Sequence, residues 1–99
     1  MNTVKYTACA ALTALSTSAL AQIDLEYGAY LGSECITCHQ IGAANAAIPS
    51  ITGLRVAHFC DLMRQYRSKE RENPTMQMIA GRLTDDDIVA LAAYFGNLE

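Results

Sequence analysis

Two thiols and an imidazole stand together at Cys35, Cys38 and His39 in the run CITCH, and that spacing admits a specific chemistry, the covalent attachment of a c-type haem. Two intervening residues let both thiols bond the vinyl-derived positions on one edge of a porphyrin. The next residue then presents an imidazole to the iron from the adjoining face, which makes His39 the proximal ligand. The same residues admit two other readings, a simple thiol pair or, with Cys60, a Cys3His zinc module. Adjacent Cys38 and His39 are poorly placed to reach one tetrahedral metal together, so the segments around the motif decide between these readings.

A proximal imidazole needs its second ring nitrogen held by an acceptor. The stretch Ile48-Pro49-Ser50-Ile51-Thr52-Gly53-Leu54 offers a backbone carbonyl for this, with Pro49 the candidate. Pro49 and Gly53 set its turns, and Ile48, Ile51 and Leu54 face a core. On the distal side three methionines compete. Met63 falls on the apolar face of a regular helix, where methionine serves as a core filler. Asn73-Pro74 breaks that helix, so Thr75-Met76-Gln77-Met78 is predicted to be a loop, with Met76 in its extended part and Met78 opening a stretch that coils onto the core. Met76 is therefore the expected second axial ligand. A haem enzyme or gas-binding protein would instead need an open sixth position and a distal polar group, and the methionine loop argues against it.

These chemical groups sit in a chain of 99 residues whose first segment has the pattern of a secretory signal: Lys5 in a short basic start, an apolar run over residues 6–20, and Ala19-Leu20-Ala21 as a small-x-small cleavage site. A membrane-anchoring helix fits less well, because the run is short for a bilayer and is interrupted by Thr13, Ser16, Thr17 and Ser18. Residues 1–21 are thus expected to be removed on export to the periplasm, Cys9 with them, leaving residues 22–99 as one domain with no stable membrane insertion. So small a domain is at the limit of what a single core can hold, and a cofactor or staple is expected. The three cysteines left, Cys35, Cys38 and Cys60, are an odd number and a poor disulfide framework. Two thioethers and one buried thiol suit them better. Six basic against ten acidic side chains put the mature chain near −4, which argues against a nucleic-acid partner.

The elements that must position the motif read as helices. Residues 23–35 carry Ile23, Tyr27, Tyr30 and Leu31 at three- and four-residue spacing, with Asp24 and Glu26 in the dipole-favoured first turn. Gly28 and Gly32, four apart, mark either a flat surface for a crossing helix or incidental breaks. Residues 40–47 read as an Ω-like loop wrapped on an apolar surface. Residues 56–69 place Val56, Phe59, Cys60, Met63 and Tyr66 on one face and Asp61, Arg64, Arg67 and Ser68 on the other, an amphipathic helix with Cys60 in the core and His58 at the surface or near a haem propionate. Thr84 opens the last helix as N-cap with Asp87 three residues on, and Ile88, Leu91, Ala92, Phe95 and Leu98 form its apolar stripe, with Tyr94 at the margin. The expected fold class is all-α, three main helices with loops closing around a flat apolar cofactor.

In this order, a glycine-bearing helix, Cys-x-x-Cys-His, a Pro-x-Ile-x-Gly loop, an amphipathic helix, a methionine loop and an aromatic C-terminal helix, the chain resembles class I cytochromes c over residues 22–99. The resemblance implies the class I cytochrome c fold around one covalently bound haem, with His39 and Met76 as iron ligands, Cys35 and Cys38 as thioether donors and the Pro49 carbonyl on the imidazole. It also implies that Gly28 meets Tyr94 and its neighbours at a helix crossing, and a seven-residue register from Leu83 selects Met76. The run NPTMQMIAGRLTDDDIVALAAYF is similar to the ends of small bacterial periplasmic cytochromes, including the haem subunit of flavocytochrome c sulfide dehydrogenase. The function so implied is electron transfer to or from a redox protein, a flavoprotein dehydrogenase subunit or a terminal oxidase or reductase, with no catalytic residue of its own. The chain departs from many relatives in having His58 where an aromatic opens the helix, and in a short 40–47 loop that lacks a Gly-x-Asn-Gly-like turn.

Overall fold

The computed structural model describes residues 24–42, 45 and 47–98. The expectations resting on Lys5, on the cleavage site at Ala19-Leu20-Ala21 and on Ile23 lie outside these residues. All regular structure among the described residues is helical: α1 over residues 24–32, a 3-10 turn Cys35–Thr37, α2 Val56–Arg67, α3 Pro74–Gly81 and α4 Asp85–Gly96. No helix among them is long and apolar enough to cross a membrane.

The core is built where α2 and α4 face each other. Phe59, Cys60 and Met63 from α2 meet Ile88, Leu91, Ala92 and Phe95 from α4, and Ala80 of α3 closes one side. The Phe59 and Phe95 rings stack at 6.1 Å between centroids. Ile88, Leu91 and Phe95 are the largest fully buried side chains, and at about 1.5–3 kcal/mol each they contribute roughly 5–9 kcal/mol of transfer free energy. The predicted stripe of α4 is thus the stripe that is buried, with Leu98 packed at its edge. Its start is the expected cap: Thr84 Oγ1 accepts from the Asp87 amide at 3.1 Å, and Asp87 Oδ2 accepts from the Thr84 amide at 3.0 Å. Cys60 is 5% exposed and His58 is exposed, each as expected.

α1 crosses α4 through its glycines. A Cβ on Gly28 would collide with the Ala90 carbonyl and stand 2.7 Å from Tyr94 Cβ, and one on Gly32 would stand 3.0 Å from the Phe95 ring. The glycines, not the tyrosines, form the buried face. Tyr30 is 75% exposed, contrary to the expected apolar face, because the closest backbone approach falls on the side of the helix where side chains are smallest. Tyr27 lies between the two faces and donates from its hydroxyl to Asp87 Oδ1 at 2.7 Å, tying α1 to the first turn of α4.

Two further expectations are corrected. The methionine stretch is not a loop but the helix α3, which raises the α-helices from three to four. Asn73-Pro74 ends nothing at Pro74; it starts a helix, since Asn73 Oδ1 accepts from the Met76 amide at 3.0 Å as N-cap and Pro74 occupies the first helical position, where its missing N–H is not needed. What stops α2 lies earlier, at Lys69, whose φ of 68° is left-handed. The connection from α2 to α3 is then braced: the Arg71 guanidinium lies 5.8 Å over the Tyr66 ring, and Gln77 Nε2 donates to the Arg71 carbonyl at 3.1 Å. At the far end Arg67 spans α2, the α3–α4 turn and α4, donating to Leu83 O at 3.1 Å and to Asp85 Oδ1 at 2.6 Å.

Candidate functional site

The chain leaves α1 directly into the motif. Ser33 Oγ donates to the Tyr30 carbonyl at the end of α1, and Thr37 Oγ1 donates to the Glu34 carbonyl, both at 2.8 Å. Between them the motif winds as a turn of helix, with the Cys38 and His39 amides donating to the Cys35 carbonyl at 3.2 and 2.8 Å. Residues three and four apart on such a turn share a side, so the winding brings both thiols and the imidazole to one side of the chain. Cys35 and Cys38 are free thiols, the first half-buried and the second exposed. Burial, and then the neighbouring Glu34 charge, push the Cys35 thiol above its ordinary pKa.

The imidazole is oriented from a second segment. His39 Nδ1 lies 2.8 Å from the Pro49 carbonyl. A carbonyl can only accept, so Nδ1 carries a proton; in the neutral imidazole this leaves the lone pair on Nε2, the tautomer a metal-binding histidine needs. The segment leading into Pro49 is shaped by an Asx turn: Asn45 Oδ1 accepts from the Ala47 and Ile48 amides, both at 2.9 Å, and the Asn45 amide donates to Ile48 O at 3.1 Å. Beyond it Gly53, at a φ of 73°, turns the chain and donates its amide to Phe95 O at 2.9 Å, anchoring the loop on α4. The signal for the Asx turn was present in an asparagine two residues before an Ala-Ile-Pro run.

The three methionines occupy different settings. Met63 is buried in the core, Met78 is 61% exposed, and Met76, on the first turn of α3, is half-buried against the core cluster. Cys35, Ile51, Leu54, Met76 and Leu83 are likewise half-buried and packed on that cluster, while none of the described residues in 33–55 is fully buried. The motif, the loop and α3 thus each rest half-covered apolar side chains on that cluster. Two free thiols on one turn, an imidazole anchored through Nδ1, a half-buried thioether and these apolar side chains are a donor set that fits a haem. They do not fit a zinc module: Cys60 is committed to the core beside Phe59 and Met63, and no group of three or more His, Cys, Asp or Glu side chains among the described residues converges as for a metal ion.

No protein-family model matches the chain. The chain is similar to the thiosulfate dehydrogenase electron acceptor of Stutzerimonas stutzeri (strain A1501), with 37% identity over 62 residues, which takes in 60% of this chain and 29% of that protein. The chain therefore spans less than a third of the relative's length.

Proposed function

We propose that the chain is an exported, periplasmic electron carrier holding one c-type haem, with Cys35 and Cys38 as thioether donors and His39 and Met76 as axial ligands. When bound, that group supplies one-electron chemistry, its iron passing between ferric and ferrous states. The chain's own residues set the conditions. The Pro49 carbonyl fixes the His39 ring and leaves Nε2 free to coordinate, and hydrogen bonding to Nδ1–H makes the imidazole a stronger donor. The Met76 sulfur would hold the group as a neutral, soft donor that favours the reduced metal, which suits a carrier rather than an enzyme. Ile51, Leu54 and Leu83, half-buried on the core cluster, would supply apolar contact to the group. The single observation that carries this reading is the His39 Nδ1 to Pro49 O contact of 2.8 Å at the end of a turn bearing both thiols.

The relative is named as an electron acceptor of a thiosulfate dehydrogenase, which supports electron transfer with a dehydrogenase of reduced sulfur compounds as the source. A flavoprotein sulfide dehydrogenase is the alternative donor, and a terminal oxidase or reductase the destination. We place the encounter surface at Ile36, Ile41 and Met78, all exposed, since a brief encounter uses an apolar centre with a polar rim.

Expression with a haem-attachment system tests the reading. Peroxidase staining should stay with the polypeptide on a denaturing gel, and acid–acetone should not extract the pigment. The sulfur-to-iron charge-transfer band of the oxidised protein should vanish in Met76→Ala and persist in Met78→Ala. Extractable pigment overturns the thioether assignment, and the reverse pattern in the methionine variants moves the ligand to Met78.

A further inference from the structure

We infer that the Glu34–Arg82 ion pair is a latch that ties the C-terminal end of α3 to the motif segment and so sets where the Met76 sulfur stands; this rests on the reading of Met76 as an axial ligand. Glu34 immediately precedes Cys35 and is the residue from which the 3-10 turn starts, and Arg82 is the C-cap of α3. Arg82 Nη2 and Glu34 Oε1 stand 2.6 Å apart, across 48 residues of sequence. Of the three ion pairs among the described residues, Arg64–Asp61 lies within α2 and Arg67–Asp85 joins α2 to α4, while Arg82–Glu34 joins the motif segment to a helix.

The position of this pair matters more than its strength. α3 is fixed at its start by the Asn73 cap and the Gln77–Arg71 bond, and beyond its end by Arg67 on the Leu83 carbonyl. These restraints come from α3's own cap, from the α2–α3 connection and from α2. Toward the motif, Arg82 supplies the polar restraint, and its partner is on a backbone already held by the Thr37 hydroxyl on Glu34 O. The two side chains are 57% and 58% exposed, so the pair adds little to global stability. It acts on a local equilibrium, between α3 seated toward the motif and α3 drawn away, and Met76 rides on that helix six residues before Arg82. Glu34 and Arg82 are positioning residues: neither touches the iron's ligands.

The test uses the haem-loaded protein in five forms: wild type, Glu34→Arg, Arg82→Glu, the double swap Glu34→Arg/Arg82→Glu, and Met76→Ala. Two quantities are read, the affinity of the oxidised protein for imidazole, which competes for the sixth position, and the amide hydrogen exchange of residues 77–81 against that of α4. Each single reversal should raise imidazole affinity and α3 exchange by about two- to fivefold, the range of an exposed pair, leaving α4 exchange unchanged. The double swap should restore both, since it rebuilds the pair with its charges exchanged. Singles that change nothing, a swap that restores nothing, or exchange rising equally in α4 each overturn the latch. Met76→Ala separates the two readings. If it raises imidazole affinity and the single reversals do not, the latch is wrong and the ligation stands; if it leaves imidazole affinity unchanged, the ligation fails and the latch as a positioning device fails with it.

Discussion

Replacing Gly28 by Ala places a methyl group between two backbones. The new Cβ would collide with the Ala90 carbonyl of α4 and lie 2.7 Å from Tyr94 Cβ, and neither can swing aside as the end of a long side chain can. The helices must separate, and overpacking of this kind costs about 3 kcal/mol, the upper end of its usual range because backbone is involved. Helix propensity returns about 1 kcal/mol, so the net loss is about 2 kcal/mol and the melting temperature of a domain this size falls by roughly 8–16 °C. Two companion variants make the reasoning specific. At Gly32 the nearest atoms are the tip of the Phe95 ring at 3.0 and 3.1 Å; that ring is also packed edge-on to Tyr94 at 5.1 Å, and a shift of a few tenths of an ångström offsets most of the propensity gain. Gly81 has nothing within 4 Å of an added Cβ, so Gly81→Ala should stabilise by about 0.5 kcal/mol at this helix end. Denaturant unfolding of the three haem-loaded variants should rank them Gly81→Ala above wild type, Gly32→Ala near it and Gly28→Ala far below. A Gly28→Ala protein as stable as Gly32→Ala would refute the close crossing of α1 and α4.

Three further outcomes are expected. Cys60→Ser should lose on the order of 1–3 kcal/mol of unfolding free energy, the cost of an imperfectly paired buried hydroxyl, with the visible spectrum unchanged; a spectral change would make Cys60 a ligand. Ile36→Lys should slow electron transfer with the physiological partner without moving the reduction potential, and unaltered kinetics would exclude that surface. The Thr84 amide, then the Tyr27 hydroxyl, hold the Asp87 carboxyl below its ordinary pKa, so its contribution is complete above the unfolded value of about 3.9 and fades as pH falls through the lower folded value. The stability gap between wild type and Asp87→Asn should therefore narrow on acidification, and a gap constant from neutral pH to the acid limb would show that the Asp87 charge contributes nothing.

What could be read in the sequence was what depends on local rules. The capping box at Thr84, the buried stripe of α4 and, on α2, Phe59, Cys60 and Met63 follow from residue type and helical period, and so does His58 outside; Val56, expected on the same face, is exposed because it opens the helix. The contact between His39 and the Pro49 carbonyl was readable because the chemistry of an imidazole ligand demands an acceptor and the loop offers few. α3 is hidden in the sequence because Asn-Pro marks the end of one helix and, as an N-cap followed by proline, equally the start of another. On α1 the crossing through Gly28 and Gly32 and the packing of Leu31 on the core agree with the sequence, while Tyr30 does not, because hydrophobicity selects tyrosines and close packing against α4 selects the residues with least side chain. Glu34 and Arg82 carried no local signal at all: an ion pair across 48 residues exists only once the fold brings its ends together.

The crossing of α1 on α4 also fixes an order of events. Gly28 lies 62 residues before the Ala90 carbonyl it faces, so any process that delivers the chain N-terminus first, synthesis or passage through a membrane pore, releases α1 and CITCH long before the helix that receives them. The Gly53 amide likewise waits for Phe95. Until α4 emerges, the two thiols and the imidazole belong to a chain that cannot yet close, and they present themselves as a short peptide rather than as part of a finished surface.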